Sequence, residues 1–453
     1  MKKARIALIA ALCMITVGLC VLFAYGMKGG SLYNLFYHTD QPYSPNIQVV
    51  LEEEISLDGI DSISILYGMN DNDIYIYESP SDTVLIKEYG NSEMSEDQLS
   101  TIEVNGSSLE VKGRGRSYNI GFHMFYFNSG YYLRHYTEIF LPASYHGELL
   151  LKTASGDIVS DFDITLEKDI SISSTSGDIS FPSVTAANAA VTTTSGNVTL
   201  ETIQTGIDGS MGKIDVETTS GDIHITELNG ETKIESTSGY QTLGTITGDT
   251  QLKTTSGDIR VTEIAGTANV ECSSGNVTAD SLSGSTQVST SSGDVDIHYL
   301  EGDLQLSTTA GYANVLEGSG ERTVSTSSGD ITIKGTDGNF QVNTLSGNVL
   351  ISLQNASGNI KTTSGEIFLE LEELSGALNV NSSSGDVNME LSDKNEFEFE
   401  AETTSGRIET FFDNSLHISP DKDYAHGTYG SNVSEKQIVV RTSSGDVTVL
   451  KIR

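Results

Sequence analysis

The chain has 453 residues and is strongly acidic, with 25 Lys and Arg against 62 Asp and Glu and a net charge of −37. A chain of this composition offers no basic surface that would collect phosphates, so nucleic acid is excluded as a partner. Only 37% of the residues are hydrophobic and Trp is absent, a composition close to that of disordered chains. The order of the residues nevertheless indicates a fold.

The N-terminal segment combines three cations with a long apolar run. Lys2, Lys3 and Arg5 precede residues 6–25, which carry no charge. A helix of about 20 residues spans the hydrocarbon core of a bilayer, so residues 1–28 are expected to form a cytoplasmic stub and a single transmembrane signal anchor. The bulk of the chain then lies outside the membrane. A cleaved signal peptide is the alternative, since Ala24-Tyr25-Gly26 is a weak cleavage site.

Cysteine and histidine indicate no metal site and no disulfide framework. Cys13 and Cys20 lie in the apolar run, which leaves Cys272 alone in the remainder of the chain. The eight His residues are scattered singly, without the close spacing of zinc ligands. We therefore expect no cofactor.

A repeated motif, Thr/Ser-x-Ser-Gly-Asp-aliphatic, organises residues 151–453. From Gly221 to Gly365 its Gly recurs every 18 residues. An aliphatic residue lies five positions before each Gly, and Ile or Val usually follows two positions after it. A second Gly recurs nine residues later, as at Gly230 and Gly248. The motif Gly occurs at positions 156, 177, 196, 221, 239, 257, 275, 293, 311, 329, 347, 365, 385, 406 and 445.

This spacing predicts an all-β fold, a single-stranded β-solenoid of the parallel β-helix or β-roll type with about 18 residues per coil. Apolar residues two positions apart point to one side of a strand, so each repeat is read as two short strands separated by glycine turns. Neither strand can bury its apolar side alone, whereas coils stacked about 4.8 Å apart bury all of them in one column. A Thr, Ser or Cys three residues before each Gly has the same parity, which predicts that Cys272 is a buried structural thiol.

The Ser-Gly-Asp corners are interpreted as structural turns, in which Gly accepts a positive φ and polar side chains bond turn amides. Calcium is the alternative, but each corner carries one carboxylate and lacks the Gly-Gly-x-Gly-x-Asp frame, so calcium is not expected. From Gly221 to Gly365, acidic residues after Gly alternate with neutral ones, which we attribute to avoidance of stacked like charges. The predicted turn residues are Gly221, Asp222, Gly257, Asp258, Gly293, Asp294, Gly329 and Asp330.

Three regions depart from the repeat. Residues 29–45 are expected to be a linker, and residues 46–150 an N-terminal β region whose alternating strands continue the sheet. Within it, residues 118–136 are rich in aromatics and are expected to cap the open end of the solenoid, with a loop that contacts lipid or a partner as the alternative. The candidate contact residues are Phe122, Phe125, Tyr126, Phe127, Tyr131 and Tyr132. Loops are expected at residues 203–212 and 413–434, before a last strand at 438–449 and an irregular C-terminal cap.

Residues 50–453 resemble the bacterial putative-adhesin family, a domain of unknown function that includes LiaG-like membrane-anchored proteins. The resemblance rests on the Thr-Ser-Gly-Asp-Ile repeats, on the strand Glu138-Ile139-Phe140-Leu141-Pro142, and on the closing Arg-Thr-Ser-Ser-Gly-Asp-Val at residues 441–447. It implies an envelope-associated role and supplies no catalytic residues.

The function expected from these features is a surface-displayed structural or adhesin-like binding module of the cell membrane. Its expected partners are the membrane, through residues 6–25, and a cell-wall polymer or a membrane protein. The alternative is an accessory part of envelope-stress sensing that acts through a membrane partner. An enzyme is not expected, because the acidic residues are distributed by the repeat and do not converge on one site.

Overall fold

A computed structural model describes residues 47–68, 72–91, 94–113, 135–207, 209–431, 433 and 435–452. The described residues from 49 onward belong to one compact unit. The described part contains strands and two short 3₁₀ helices, at Glu96–Gln98 and Asp413–Ser415, but no α-helix. Within it, no helix has the length and apolar character needed to cross a membrane. The predicted anchor, residues 6–25, lies outside the described residues.

The N-terminal strands are β1 (Ile47–Ser56), β2 (Ser62–Tyr67), β3 (Asn72–Glu78), β4 (Thr83–Asn91), β5 (Thr101–Asn105), β6 (Ser108–Lys112) and β7 (His135–Leu141). The first coils with the motif Gly contain β8 (Glu148–Thr153), β9 (Ile158–Ser160), β10 (Ile164–Thr165), β11 (Ile170–Ser173), β12 (Ile179–Ala186), β13 (Ala189–Thr193), β14 (Val198–Thr205) and β15 (Lys213–Thr218).

The regular coils contain β16 (Ile223–Asn229), β17 (Glu231–Ser236), β18 (Gln241–Thr247), β19 (Thr250–Ser256), β20 (Ile259–Ala265), β21 (Ala268–Ser274), β22 (Val277–Ser283), β23 (Thr286–Ser292), β24 (Val295–Glu301), β25 (Leu304–Ala310), β26 (Ala313–Ser319), β27 (Arg322–Ser328), β28 (Ile331–Asp337) and β29 (Phe340–Ser346). The remaining strands are β30 (Val349–Ser364), β31 (Ile367–Ser384), β32 (Val387–Leu391), β33 (Phe397–Ser405), β34 (Ile408–Thr410), β35 (Leu416–Ile418), β36 (Tyr424–Tyr429), β37 (Gln437–Ser444) and β38 (Val447–Lys451).

Each strand of the regular coils pairs in parallel with the strand one repeat away. In one stack Leu252 lies opposite Val270, which lies opposite Val288. In the other stack Ile259 lies opposite Val277, again one 18-residue repeat along the chain. The chain therefore winds through two parallel stacks in turn, as the sequence predicted. The repeat sets this register, because a slip of one residue would turn every aliphatic side chain outward.

The core is a set of ladders, one from each inward position of the coil. Val216, Ile234 and Leu252 are fully buried in successive coils, as are Ile246 and Ile264 of the facing stack. Burying a side chain of this size contributes about 1.5–3 kcal/mol relative to leaving it exposed. Stability therefore grows with every coil added, although a single coil has almost nothing to bury by itself.

At both ends of the stack, spatial order departs from chain order. Strands β2 and β3 lie between the coil of β6 and β7 and the coil of β8 and β9, pairing in parallel with both. In the same way β37 lies between β31 and β33, and β38 lies between β32 and β34.

Antiparallel strands then complete each end. Strand β5 pairs antiparallel with β6, and β4 pairs antiparallel with β7. At the opposite end β36 pairs antiparallel with β33, and β35 with β36. Such strands cover parallel edges that would otherwise offer free backbone groups for pairing.

Candidate functional site

The corner glycines are required by close stacking of the coils. A Cβ on Gly257 would lie 2.1 Å from the carbonyl oxygen of Gly239, and one on Gly329 would lie 1.9 Å from that of Gly311. Left-handed φ is not the common cause, because Gly221, Gly257 and Gly293 lack it. The expectation of a positive φ was therefore wrong for these three. It holds at other corners, as at Gly365 with φ of 137° and Gly385 with φ of 123°. The second glycine row also has positive φ, as at Gly248 with 125°.

The Asp residues of the corners connect one coil to the next. The backbone N–H of Asn276 donates to Asp258 Oδ1 at 2.8 Å, and that of Asp294 donates to Asn276 Oδ1 at 2.9 Å. The same bond joins Tyr240 N–H to Asp222, Tyr312 N–H to Asp294, and Asn348 N–H to Asp330. Asp and Asn serve equally as acceptors, so the structure assigns these positions a role in holding the coils together.

This ladder changes the interpretation of the charge alternation. Carboxylates do stack directly at several corners, since Asp157 N–H donates to Asp73 Oδ1 at 3.0 Å, Asp178 N–H donates to Asp157 Oδ1 at 2.9 Å, and Asp446 N–H donates to Asp386 Oδ1 at 2.8 Å. Adjacent like charges are therefore tolerated at the corner. The acceptor oxygen that Asp and Asn share explains why both occur there.

The six aromatic residues predicted to contact lipid or a partner lie outside the described residues. Tyr136, the last aromatic of that segment, lies in β7. Its ring stacks on Tyr89 with centroids 4.4 Å apart and meets Tyr75 edge-on at 5.8 Å.

Cys272 is 3% exposed and lies in the inward row between Thr254 and Thr290. Its Sγ lies 3.2 Å from the carbonyl oxygen of Gly275. Burial raises the pKa of the thiol above its ordinary value, with a further contribution from the nearby charge of Asp258. This side chain is a packed thiol, as the parity of the row indicated.

Arg322 is a feature that the sequence reasoning missed. It is fully buried and occupies an inward position, between Leu304 and Phe340 of the neighbouring coils. The available signal was a cation at a position where these two neighbours are apolar. Its hydrogen bonds go to backbone carbonyl groups, so the residue belongs to the core and not to a surface site.

The outward side of one stack forms a surface that we call the polar face. It runs across β23, β25, β27, β29, the final halves of β30 and β31, and β37, and none of its outward residues is Asp or Glu. Glu271 on β21 borders it on one side, and Glu402 on β33 borders it on the other. The polar face comprises Gln287, Ser289, Ser291, Gln305, Ser307, Thr309, Thr323, Ser325, Ser327, Gln341, Asn343, Leu345, Asn359, Lys361, Thr363, Asn379, Asn381, Ser383, Val439, Arg441 and Ser443.

A shallow depression of about 270 Å³ lies at one end of the polar face. Lys361, Asn381 and Arg441 cross it in register on three successive strands. The Arg441 guanidinium lies 3.3 Å from Glu400, whereas Lys361 makes no ion pair within the described part of the chain. Hydroxyl groups of Ser383, Thr404 and Ser443 also line it, and Glu402 of the bordering strand β33 contributes a carboxylate at its edge. Chemically, the site offers hydrogen-bond donors and acceptors together with two cations and this carboxylate.

Among the described residues, no group of three or more His, Cys, Asp or Glu side chains is arranged to hold a metal ion.

The fold and its surfaces define a repeat protein, a parallel β-solenoid with long ladders of polar side chains. A family model described as Toastrack DUF4097 matches residues 60–334 and 319–450. The chain belongs to the Toastrack DUF4097 family.

Several solved structures are similar in part. A putative cell adhesion protein from Clostridium sporogenes is 10% identical, with 89% of this chain and 99% of that chain covered and a TM-score of 0.15. A putative adhesin from Parabacteroides merdae is 11% identical, with coverage of 71% and 96% and a TM-score of 0.19. A putative lipid binding protein from Parabacteroides distasonis is 14% identical, with coverage of 76% and 97% and a TM-score of 0.17. Scores this low carry no argument about function. No curated protein matches the sequence.

Proposed function

We propose that this chain is a membrane-anchored, extracytoplasmic binding module of the adhesin-like kind, which holds a cell-envelope partner on its polar face without catalysing a reaction. The anchor is residues 6–25, which directs everything after Lys28 to the outside of the membrane.

The observation that carries the proposal is the absence of carboxylates from the polar face. Asp and Glu make up 62 of 453 residues, so 21 outward positions would carry about three of them on average. Surface positions usually hold more charge than the average position, which makes the absence more pronounced. A surface without carboxylates is suited to contact with a negatively charged partner. The negative charge of the rest of the chain repels such a partner from the other surfaces.

A second candidate function is an accessory role in envelope-stress sensing, in which a membrane protein binds the solenoid. The support for it is the expected anchor, which keeps the chain beside other membrane proteins. Both candidates use binding and neither requires catalysis, so the identity of the partner separates them.

The test is photo-cross-linking of the full chain on intact cells. A photoreactive amino acid replaces Ser325 on the polar face or, as the matched control, Thr262, which projects from β20 in the other stack. We expect an adduct from position 325 and little from position 262. An adduct with a wall polymer supports the binding module, and an adduct with a membrane protein supports the sensing role. Equal adducts from both positions, or none, would contradict the proposal.

The expected location has its own test. Ser238 is exposed at a corner of the solenoid. In intact cells, Ser238→Cys should react with a maleimide that cannot cross membranes, and labelling only after cell lysis would show that the solenoid lies inside.

A further inference from the structure

We infer that the polar face binds an extended glycan, and that Lys361 and Arg441 hold an acidic group of that glycan, a carboxylate or a phosphate. The inference rests on the proposed function and specifies the class of ligand for the same face.

The first support is a row of amide side chains in register. Gln287 lies opposite Gln305, and Gln341 lies opposite Asn359, which lies opposite Asn379. Neighbouring strands place such side chains about 4.8 Å apart. This interval is close to the rise per sugar of an extended β-linked glycan, so each sugar meets one strand, with an amide on five strands and the Thr323 hydroxyl between Gln305 and Gln341. Asn379 Nδ2 donates to Asn359 Oδ1 at 3.0 Å, and both amides keep a further N–H donor and acceptor capacity for sugar hydroxyl groups.

The second support is the composition of the face, which differs from that of protein interfaces. Protein interfaces are enriched in aromatic residues, Met and Arg and depleted in Ser. The polar face is rich in Ser, Thr, Asn and Gln, and its one large exposed hydrophobic side chain is Leu345. A polyhydroxylated ligand therefore fits it better than a folded protein does.

The third support is the charge at the depression. In a two-fold dimer formed through the polar face, the face of one copy would contact the same face of the other. Because the polar face has no Asp or Glu, neither copy would offer one of its carboxylates to Lys361 or Arg441. Arg441 is already paired with Glu400, whereas Lys361 has no ion-pair partner in the described part of the chain. An acidic group of a ligand supplies the charge that Lys361 lacks. Strands about 4.8 Å apart place the two cations about 10 Å from each other across Asn381, so one carboxylate or phosphate can lie between them.

Because the face has no aromatic ring to stack on a sugar, each sugar contributes little and affinity must accumulate over several coils. Binding should therefore strengthen with glycan length. A single sugar or a free phosphate ion should bind hardly at all.

The test is a calorimetric titration of the full chain, purified in detergent, with three families of oligomers of increasing length. N-acetylglucosamine oligomers are neutral, galacturonic acid oligomers carry carboxylates, and glycerol phosphate oligomers carry phosphates without sugar rings. We expect the galacturonic acid oligomers to bind in a length-dependent way and more tightly than the neutral oligomers. Binding of the glycerol phosphate oligomers alone would show that the face recognises phosphate without a sugar and would overturn the inference of a glycan.

Two pairs of variants assign the binding to the face. Lys361→Gln with Arg441→Gln should weaken binding of the acidic oligomers by about tenfold or more, because charge-assisted hydrogen bonds are lost, and should not alter any binding of the neutral ones. Ser307→Glu with Thr309→Glu should abolish binding by placing two carboxylates on the face. The matched control, Thr242→Glu with Thr262→Glu, adds the same charge to exposed positions of the other stack.

The outcomes are separable. If the two Glu pairs weaken binding equally, net charge alone is responsible and the inference is wrong. If no oligomer binds in a length-dependent way while position 325 still cross-links to a cell-envelope partner, the ligand class is wrong and the proposed function stands. If cross-linking also fails, the proposed function fails with it. Melting curves of each variant show whether the fold is retained.

Discussion

The guanidinium of Arg322 donates a hydrogen bond from Nη2 to the carbonyl oxygen of Gly318 at 2.7 Å. Gly318 takes the place that Leu300 has in the preceding coil, and the missing side chain leaves room for the guanidinium. Nη1 donates to the carbonyl oxygens of Gly320 and Asp337, each at 3.1 Å. Burial lowers the pKa of Arg322, although an arginine begins from a value high enough to remain charged at neutral pH. A cation in the core is thus stabilised by backbone dipoles.

Replacing this cation tests whether its hydrogen bonds outweigh the cost of burying it. Arg322→Leu should lower the free energy of unfolding by about 1–3 kcal/mol, because it leaves buried carbonyl groups without donors. Arg260→Leu, at an exposed position of β20, should change it by less than about 0.5 kcal/mol. Chemical denaturation of the full chain in detergent measures both. A more stable Arg322→Leu variant would mean that desolvation of the guanidinium dominates.

Coil stacking at the corner can be tested with one added methyl group. Gly257→Ala would place a Cβ 2.1 Å from a backbone oxygen, so we expect a loss of about 1–3 kcal/mol as neighbouring coils separate. Gly376→Ala is the control, since its nearest neighbour is the flexible Ser357 side chain at 3.3 Å. Melting temperatures report the difference. Equal melting temperatures for the two variants would show that the corner accommodates the added methyl group without loss of stability.

The acceptor ladder and charge avoidance make different predictions for Asp258. If its Oδ1 matters as an acceptor for Asn276 N–H, Asp258→Asn should be nearly neutral and Asp258→Ala should cost about 0.5–1.5 kcal/mol. The cost should not depend on ionic strength. Denaturation at low and high salt checks this. If Asn and Ala behaved alike, and salt removed the effect of both, electrostatics would be the cause after all.

Cys272 should be unreactive in the folded chain. Its raised pKa means that folding disfavours the thiolate. At neutral pH the thiol is protonated in both the folded and the unfolded state, so its ionisation does not change the free energy of unfolding there. Stability should fall as the pH rises above the pKa of an unfolded thiol, about 8.5, because the unfolded state then releases its proton first. Mass spectrometry after alkylation measures the labelling of Cys272, and denaturation between pH 7 and about 10 measures the slope.

Cys272→Thr supplies the control for that slope, since Thr occupies the same row in both neighbouring coils. The variant should fold and lose the part of the pH dependence that the thiol causes. Rapid alkylation of native Cys272 would contradict its assignment as a packed side chain.

Much of the fold could be predicted because the same pattern of Gly and aliphatic residues occurs in each repeat. Gly257 and Ile259 recur with the same spacing as Gly275 and Val277, and identical spacing can be satisfied only when like positions stack. The loop expected at residues 203–212 was nearly right, although Ile203 is buried in β14 and the interruption begins at Gly206. The reason for the corner glycines was partly wrong, since close approach between coils is invisible within a single repeat.

The sequence by itself determined the parallel solenoid, its register and its inward rows, because these follow from local periodicity multiplied along the chain. Only the tertiary structure decided the extent of the polar face. Had the coils stacked in chain order, Glu400 and Glu402 would lie beside Asn379 and Asn381 and end the face there. Insertion of β37 places Val439 and Arg441 there instead. Residues 60 positions apart thereby become neighbours, and no repeat spacing encodes that contact, since it depends on where the last coil finds an unpaired edge.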